Sequence, residues 1–437
     1  MAKKEVICYT AQDCSEINYK DKSLSYSDTF LHHVQSNSYE LERFRISSKH
    51  FLDESPIVEY DYRDGKWKAG RYIGSIKYRD GKNEYCLSIS PRFGESALVH
   101  MLSEIFNIKI TEGTSGLAKD SSAYIKMLIS MIWTQKLNQS NRFGLPRTSK
   151  EETNKGYFVK GKLAVLPSVF SYHKDETIIS VSRNNCYDKR IVSILCEAYR
   201  ILCKDFCFDR LPISPSTKKL IKGIESLYSS LKCTRITENE YNRITYSPIY
   251  KEFKEIVDFS WSIINTSWGV NGKSEELSVS GYLLDMAEIW ECYVRKILQK
   301  KLQVKGWQLI DTKYHLYKGQ FFERDIIPDI VFKNGDKYCV FDAKYKKMMY
   351  RKQDVDRSDF FQIHTYASYF QGRGNVILAG LVYPIENTNN IISPPKLFGN
   401  DESDTIFFVD GPRIAETDEI EKTISNDLFL NSVYSVV

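Results

Sequence analysis

Residues 328–344 read PDIVFKNGDKYCVFDAK, two apolar runs interrupted by Asp329, Asp342 and Lys344 and joined at Asn334-Gly335. Asn-Gly is a strong two-residue hairpin signal because both residues tolerate positive φ. With those two in the turn, Lys333 pairs with Asp336, Asp329 lies opposite Val340, and Asp342 is a diagonal neighbour of Asp329. Side chains alternate faces along a strand, so Asp329, Asp342 and Lys344 project from one side; a one-residue slip would separate them. Two facing carboxylates repel, and partial burial makes the pair costly unless something neutralises it. A divalent cation does so. Oxygen ligands suit Mg²⁺, with Mn²⁺ as a substitute, and Lys344 stands where it can orient an attacking water and offset charge developing on a phosphate. The competing reading is an ordinary surface hairpin.

Pro328-Asp329 followed by Asp342-Ala343-Lys344 resembles the PD-(D/E)XK nuclease motif, and the flanking elements bear on that resemblance. Upstream, 283–302 reads as a long helix with Met286, Trp290, Tyr293 and Ile297 at the centre of its apolar arc. Glu291 falls at the edge of that arc and Glu288 on the more polar side. Such nucleases often recruit an acid from this helix, which makes Glu291 the candidate; a solvated flank carboxylate is the other reading. Downstream, Gln362 and Tyr366 share a face of the helix 359–372, a pattern similar to the QxxxY helix that lines the cleft in some of these nucleases. An amphipathic helix with Tyr366 in the core is the alternative there. Between them lies a basic stretch with Lys344, Lys346, Lys347, Arg351 and Lys352. A charge run is usually a solvated face, but beside a phosphodiesterase site it could grip DNA backbone.

Rival chemistries find less support. Gly272-Lys273-Ser274 imitates the end of a phosphate-binding loop, yet position 267 is Ser where the first glycine is required. No G-x-S-x-G occurs, the histidines show no ligand spacing, and Cys196, Cys203 and Cys207 recur at helical spacing without a C-x-x-C pair. The ten cysteines fit reduced core thiols better than a disulfide framework. A net charge of +5, from 61 Lys and Arg against 56 Asp and Glu, is too small to argue for nucleic acid by itself. No stretch approaches the roughly 18 apolar residues of a membrane span, so the expectation is a cytoplasmic protein with no membrane partner.

At 437 residues the chain should hold two or three folding units. The expected fold is α+β and multidomain. Residues 1–115 form a β-rich N-terminal region, with 71–94 as a hairpin; 116–280 form a mainly helical scaffold, with a β-like piece at 156–170 and a boundary loop at 267–281. Residues 281–437 form a C-terminal α/β domain with a mixed central sheet in the order helix, strand, strand, helix, strand.

The segments LLDMAEIWECYV, IIPDIVF, YCVFDAKYK and SDFFQIHTYA together resemble the McrC family, the nuclease subunit of McrBC-type modification-dependent restriction systems. The resemblance is strongest over 281–385. It implies a restriction-endonuclease-like C-terminal domain acting as a prokaryotic, type IV restriction-like, Mg²⁺-dependent endodeoxyribonuclease. It also implies a partner, a hexameric McrB-like AAA+ GTPase docked by the N-terminal part, and double-stranded, modified DNA as substrate. Carried over, Asp329, Asp342 and the Ala343 carbonyl would hold the metal, Lys344 would position the water, and Glu291 and Gln362 would support the site. Lys346, Lys347, Arg351, Lys352 and Tyr366 would meet DNA, and a homodimer through the nuclease domain would cut both strands. The alternatives are a non-catalytic subunit bridging an AAA+ motor to DNA, and a nuclease of another restriction or repair system with an ATP-dependent motor.

Overall fold

The computed structural model describes residues 6–19, 22–23, 27–38, 41–44, 46, 55–79, 83–107, 121–206, 208–211, 213–271, 279–310, 313–348, 355–386, 394–399, 403–416 and 422–437. They fall into two compact units, 1–125 with 273–437, and 126–272.

The first unit contains two large sheets and, among its described residues, three small ones of two or three strands. The N-terminal sheet runs in the order Lys22–Ser23, Asn18–Tyr19, Val6–Gln12, Glu84–Ser90, Tyr72–Arg79, Val279–Asp285, Glu42–Phe44. The expected hairpin of 71–94 is its centre, Tyr72–Arg79 antiparallel to Glu84–Ser90; its turn residues 80–82 lie outside the described residues. The strand Val279–Asp285 replaces both the expected end of the boundary loop and the first turn of the expected helix. The helix begins at Met286, where the Asp285 side chain caps it by accepting from the Ala287 N–H at 2.9 Å. Gly74 permits that pairing: its φ of +148° and a Tyr282 carbonyl 1.9 Å from where a Cβ would stand leave no room for a side chain. The boundary drawn at 281 thus falls inside a strand bonded to residues 72–78.

The C-terminal sheet is mixed, in the order Gln308–Leu309, Ile330–Asn334, Lys337–Ala343, Asn375–Val382, Ile406–Asp410, antiparallel in its first half and parallel in its second. The parallel step from Lys337–Ala343 to Asn375–Val382 is a crossover through the helix Arg357–Gln371. The helix Met286–Leu302 is buried along Met286, Trp290, Tyr293 and Ile297, as its apolar arc predicts; each such side chain contributes about 1.5–3 kcal/mol by leaving water. Trp290 Nε1 donates to the Val382 carbonyl at 3.2 Å, fixing this helix against the end of a central strand.

The second unit is built on the helices Ser121–Ser140, Lys189–Asp205, Pro215–Ser230 and Phe253–Asn271. The β-like reading of 156–170 holds only in part: Lys162–Leu163 is a short edge strand on Ile178–Tyr187, but 157–161 and 164–170 are not sheet. A ten-residue strand Arg147–Gly156 pairs antiparallel with Ile178–Tyr187, and Val165–Asp175 is a helix lying against that ribbon. Much of the apolar surface here is exposed, including Tyr157, Phe158, Leu166 and Phe170. Cys196 is buried and Cys186 exposed, and Cys207 and Gly272-Lys273-Ser274 lie outside the described residues. Among the described residues no helix is long and apolar enough to cross a membrane.

Candidate active site

The acid-bearing hairpin pairs Asn334 with Lys337, Val331 with Val340 and Ile330 with Phe341. Its turn is therefore Gly335-Asp336, one residue beyond the expected Asn334-Gly335. Gly335 has φ +62°, the conformation a type II′ turn needs at its first central position. Continued by one residue, this register sets Asp329 opposite Asp342 instead of Val340. Because the partner shifts by two, an even number, Asp329, Asp342 and Lys344 still share a face.

Asp329 Oδ2 accepts from the Ala343 N–H at 2.7 Å, a bond that closes the strand ends over the site. Lys344 Nζ lies 2.8 Å from Asp342 Oδ2 and donates to Gln362 Oε1 at 2.8 Å. Gln362 Nε2 in turn donates to the Tyr366 hydroxyl at 2.7 Å, which donates to the Ile327 carbonyl at 3.3 Å. The helix spacing of four thus makes a chain from the strand before Asp329 back to Lys344. Tyr366, expected at DNA, is 8% exposed, and its hydroxyl is spent on buttressing Gln362.

Glu291 is 5% exposed, so the solvated-flank reading does not hold. It is ion-paired with Arg295, whose guanidinium also donates to the Asp329 carbonyl at 2.9 Å. Glu288, placed on the polar side by the sequence, is buried as well and accepts from the Ile46 N–H at 3.1 Å. Two site residues escaped the sequence reading. Arg295 follows Glu291 by one turn. Asp359, 4% exposed, lies 3.8 Å from Lys344 Nζ and accepts from Lys346 Nζ at 2.8 Å and the Tyr383 hydroxyl at 3.1 Å. Spacings of four from Glu291 and three from Gln362 were the available signals.

In the basic stretch, Lys346 is ion-paired with Asp356 and Asp359, and Lys347 lies 3.4 Å from Glu386. Arg351 and Lys352 lie outside the described residues. His364 faces away from the acids among Phe360, Phe398 and Phe407, its Nδ1 bonded to the Phe360 carbonyl.

Electrostatically the site is short of positive charge. Burial, then Asp342 and Glu291, push the Asp329 carboxyl well above the ordinary carboxylate range. Burial also raises Asp342, against the pull of Lys344. Burial opposes the charge on Lys344, but Asp342, Asp329 and Asp359 outweigh it and its pKa is raised. Asp342 is fully buried; the Lys344 ammonium 2.8 Å from its Oδ2 is that oxygen's close partner, and among the described residues its Oδ1 accepts no hydrogen bond. Orphaned buried carboxylate oxygens are costly, and a cation beside them would remove the cost. Among the described residues no three acidic, histidine or cysteine side chains converge as a complete ligand set. Two carboxylates suffice for Mg²⁺, which fills its other positions with water and substrate phosphate. The donor set fits an ion that completes its coordination with water and, when it is present, substrate phosphate.

Fold and site define a multidomain α+β protein with a buried acid–lysine cluster at the end of a C-terminal mixed sheet. The chain belongs to the McrBC 5-methylcytosine restriction system component family, whose model matches residues 67–384. It shares its fold with a Thermococcus gammatolerans chain from a refined half-complex of a tetradecameric assembly of McrB AAA+ hexamers with bound McrC. That match has a TM-score of 0.50 and 16% identity and covers 98% of this chain and 100% of the other. A chain from the cryo-EM structure of the T. gammatolerans McrBC complex matches at TM-score 0.37 and 16% identity, over 68% of this chain and 88% of that one. No curated protein matches the chain.

Proposed function

We propose that this chain is the DNA-cleaving subunit of a McrBC-like restriction complex, hydrolysing phosphodiester bonds with Mg²⁺ while a separate AAA+ GTPase targets and drives it. The observation that carries this reading is the fully buried Asp342 facing the half-buried Asp329, with Lys344 held between Asp342 and Gln362. In it, Asp329 and Asp342 hold the ion, with the Ala343 carbonyl as a further ligand. When bound, Mg²⁺ supplies Lewis-acid stabilisation of the charge that builds on the scissile phosphate.

The protein's own groups do the rest. Lys344, fixed by Asp342 and Gln362 and flanked by Asp359, orients the attacking water and presents its ammonium to the developing charge. Arg295 neutralises Glu291 and holds the Asp329 backbone, so the strand end is rigid before substrate arrives. The displacement is in line and passes through no covalent enzyme intermediate. A purely bridging subunit would gain nothing from burying Asp342 opposite a second acid, which favours the catalytic reading over the assembly one.

The partner reading draws on the family and on the exposed apolar surface of Tyr157, Phe158, Leu166 and Phe170. Exposed large apolar side chains mark interaction sites, and we assign the AAA+ contact to this segment, 157–170, in place of the N-terminal region 1–115 to which the sequence reading gave it. Cleavage of both strands then calls for a second copy of the nuclease domain. Reconstitution with a McrB-like AAA+ GTPase tests the proposal. DNA should be cut only with Mg²⁺ and hydrolysable GTP present. Absence of cutting on both cytosine-methylated and unmethylated duplexes would overturn it, and cutting with ATP in place of GTP would reassign the motor.

A further inference from the structure

Tyr345, next in sequence to Lys344, is gripped by a residue 253 positions away. Arg92 follows the N-terminal strand Glu84–Ser90, and its guanidinium donates to the Tyr345 carbonyl at 3.0 Å. The guanidinium carbon lies 4.2 Å from the centre of the Tyr345 ring and 4.8 Å from that of Phe93. The two rings meet edge to face at 5.5 Å. Arg92 is anchored in turn by Asp13, which accepts from its backbone N–H at 2.6 Å and faces its Nε at 3.4 Å. Asp13 is fully buried and Arg92 8% exposed.

From this geometry we propose that Arg92, anchored by Asp13, is a positioning residue for Lys344, so that the N-terminal sheet is a working part of the cleavage site. The inference rests on Lys344 acting at the phosphate. Two features argue for positioning over stability. A buried ion pair is a poor source of folding energy, since well-packed apolar groups of similar volume often match or exceed it. A guanidinium that bonds a carbonyl and stacks on two rings is instead suited to fixing a peptide in place. Beyond Ala343 the strand ends, and Lys344 keeps one ladder bond, its N–H to the Val382 carbonyl at 2.9 Å. Arg92 holds the next carbonyl, so the backbone carrying Lys344 is pinned on both sides. Misplacement by about 1 Å of a group at the reacting centre can cost on the order of 100-fold in rate.

The test is the double variant Arg92→Met with Asp13→Asn, which removes both buried charges together, beside Arg92→Lys and Lys344→Ala, all in the reconstituted complex. Melting temperature, DNA affinity in Ca²⁺ and the single-turnover cleavage rate are measured for each. We expect the double variant to melt and bind DNA as wild type does while cleaving about 10–100-fold more slowly, with Arg92→Lys partly restored. Wild-type cleavage by the double variant beside an inactive Lys344→Ala would overturn this inference and leave the proposed site standing. A slowed rate matched by lost melting temperature or DNA affinity would also overturn it, by making the clasp structural. Wild-type cleavage by Lys344→Ala would sink the reading of the site itself.

Discussion

Replacing Asp329 by Asn should stabilise the metal-free protein. Asp329 and Asp342 face each other across the hairpin with one lysine between them, and burial with that repulsion raises Asp329. A raised carboxyl binds its proton more tightly folded than unfolded. The contribution of this group to metal-free stability is therefore fully present below the ordinary Asp pKa and is lost as pH rises through the raised value. Facing side chains on paired strands stand about 5 Å apart, where two like charges cost about 3 kcal/mol at an effective dielectric constant of about 20. Lys344 cancels part of this through Asp342, leaving about 1–2 kcal/mol for Asn to recover. Asn also keeps an oxygen for the Ala343 N–H. Scanning fluorimetry in EDTA at pH 8 should show the variant melting about 2–6 °C above wild type. Adding Mg²⁺ should reverse the order, since wild type gains about 1.4 kcal/mol for each tenfold excess over its Kd and the variant gains none. A variant less stable than wild type in EDTA would refute the electrostatic account of the pair.

Three further outcomes follow from the geometry. The Mg²⁺ concentration for half-maximal stabilisation should fall as pH rises, because the ion displaces the proton on the raised Asp329; isothermal titration at a series of pH values checks the direction. Asp359→Asn should slow cleavage about 10-fold while leaving DNA affinity within about twofold, because Lys344 loses one of its flanking carboxylates and Lys346 one of its two. Phe158→Asp with Phe170→Asp should weaken association with the AAA+ partner at least about 10-fold without changing the melting temperature, as judged by light scattering and fluorimetry, since both side chains are exposed.

The sheet and the helices around the acids were legible because each is apolar at its own period. The facing of Asp329, Asp342 and Lys344 survived a mistaken turn because parity along a strand is robust where exact register is not. Other features were hidden for physical reasons. RTSKEETNKG pairs as a strand while almost wholly exposed, so no apolar alternation betrays it. Val279–Asp285 reads as a loop running into a helix because its partners lie some 200 residues upstream. Glu288 looked polar on a helical wheel, yet it is buried by the backbone N–H of Ile46, a partner no wheel contains. The clasp of Asp13 and Arg92 on Tyr345 is likewise a contact between distant segments. Local pattern placed the acids and the lysine on one face; long-range pairing determined what holds them.

The central claim is that phosphodiester cleavage occurs at the facing acids and Lys344. Asp342→Ala and Lys344→Ala, each reconstituted with the AAA+ partner on modified duplex DNA, test it most directly. Both should lose at least about 1,000-fold in single-turnover cleavage while the partner's nucleotide hydrolysis and DNA binding persist. Mg²⁺-dependent cleavage at the wild-type rate by either variant would contradict the claim.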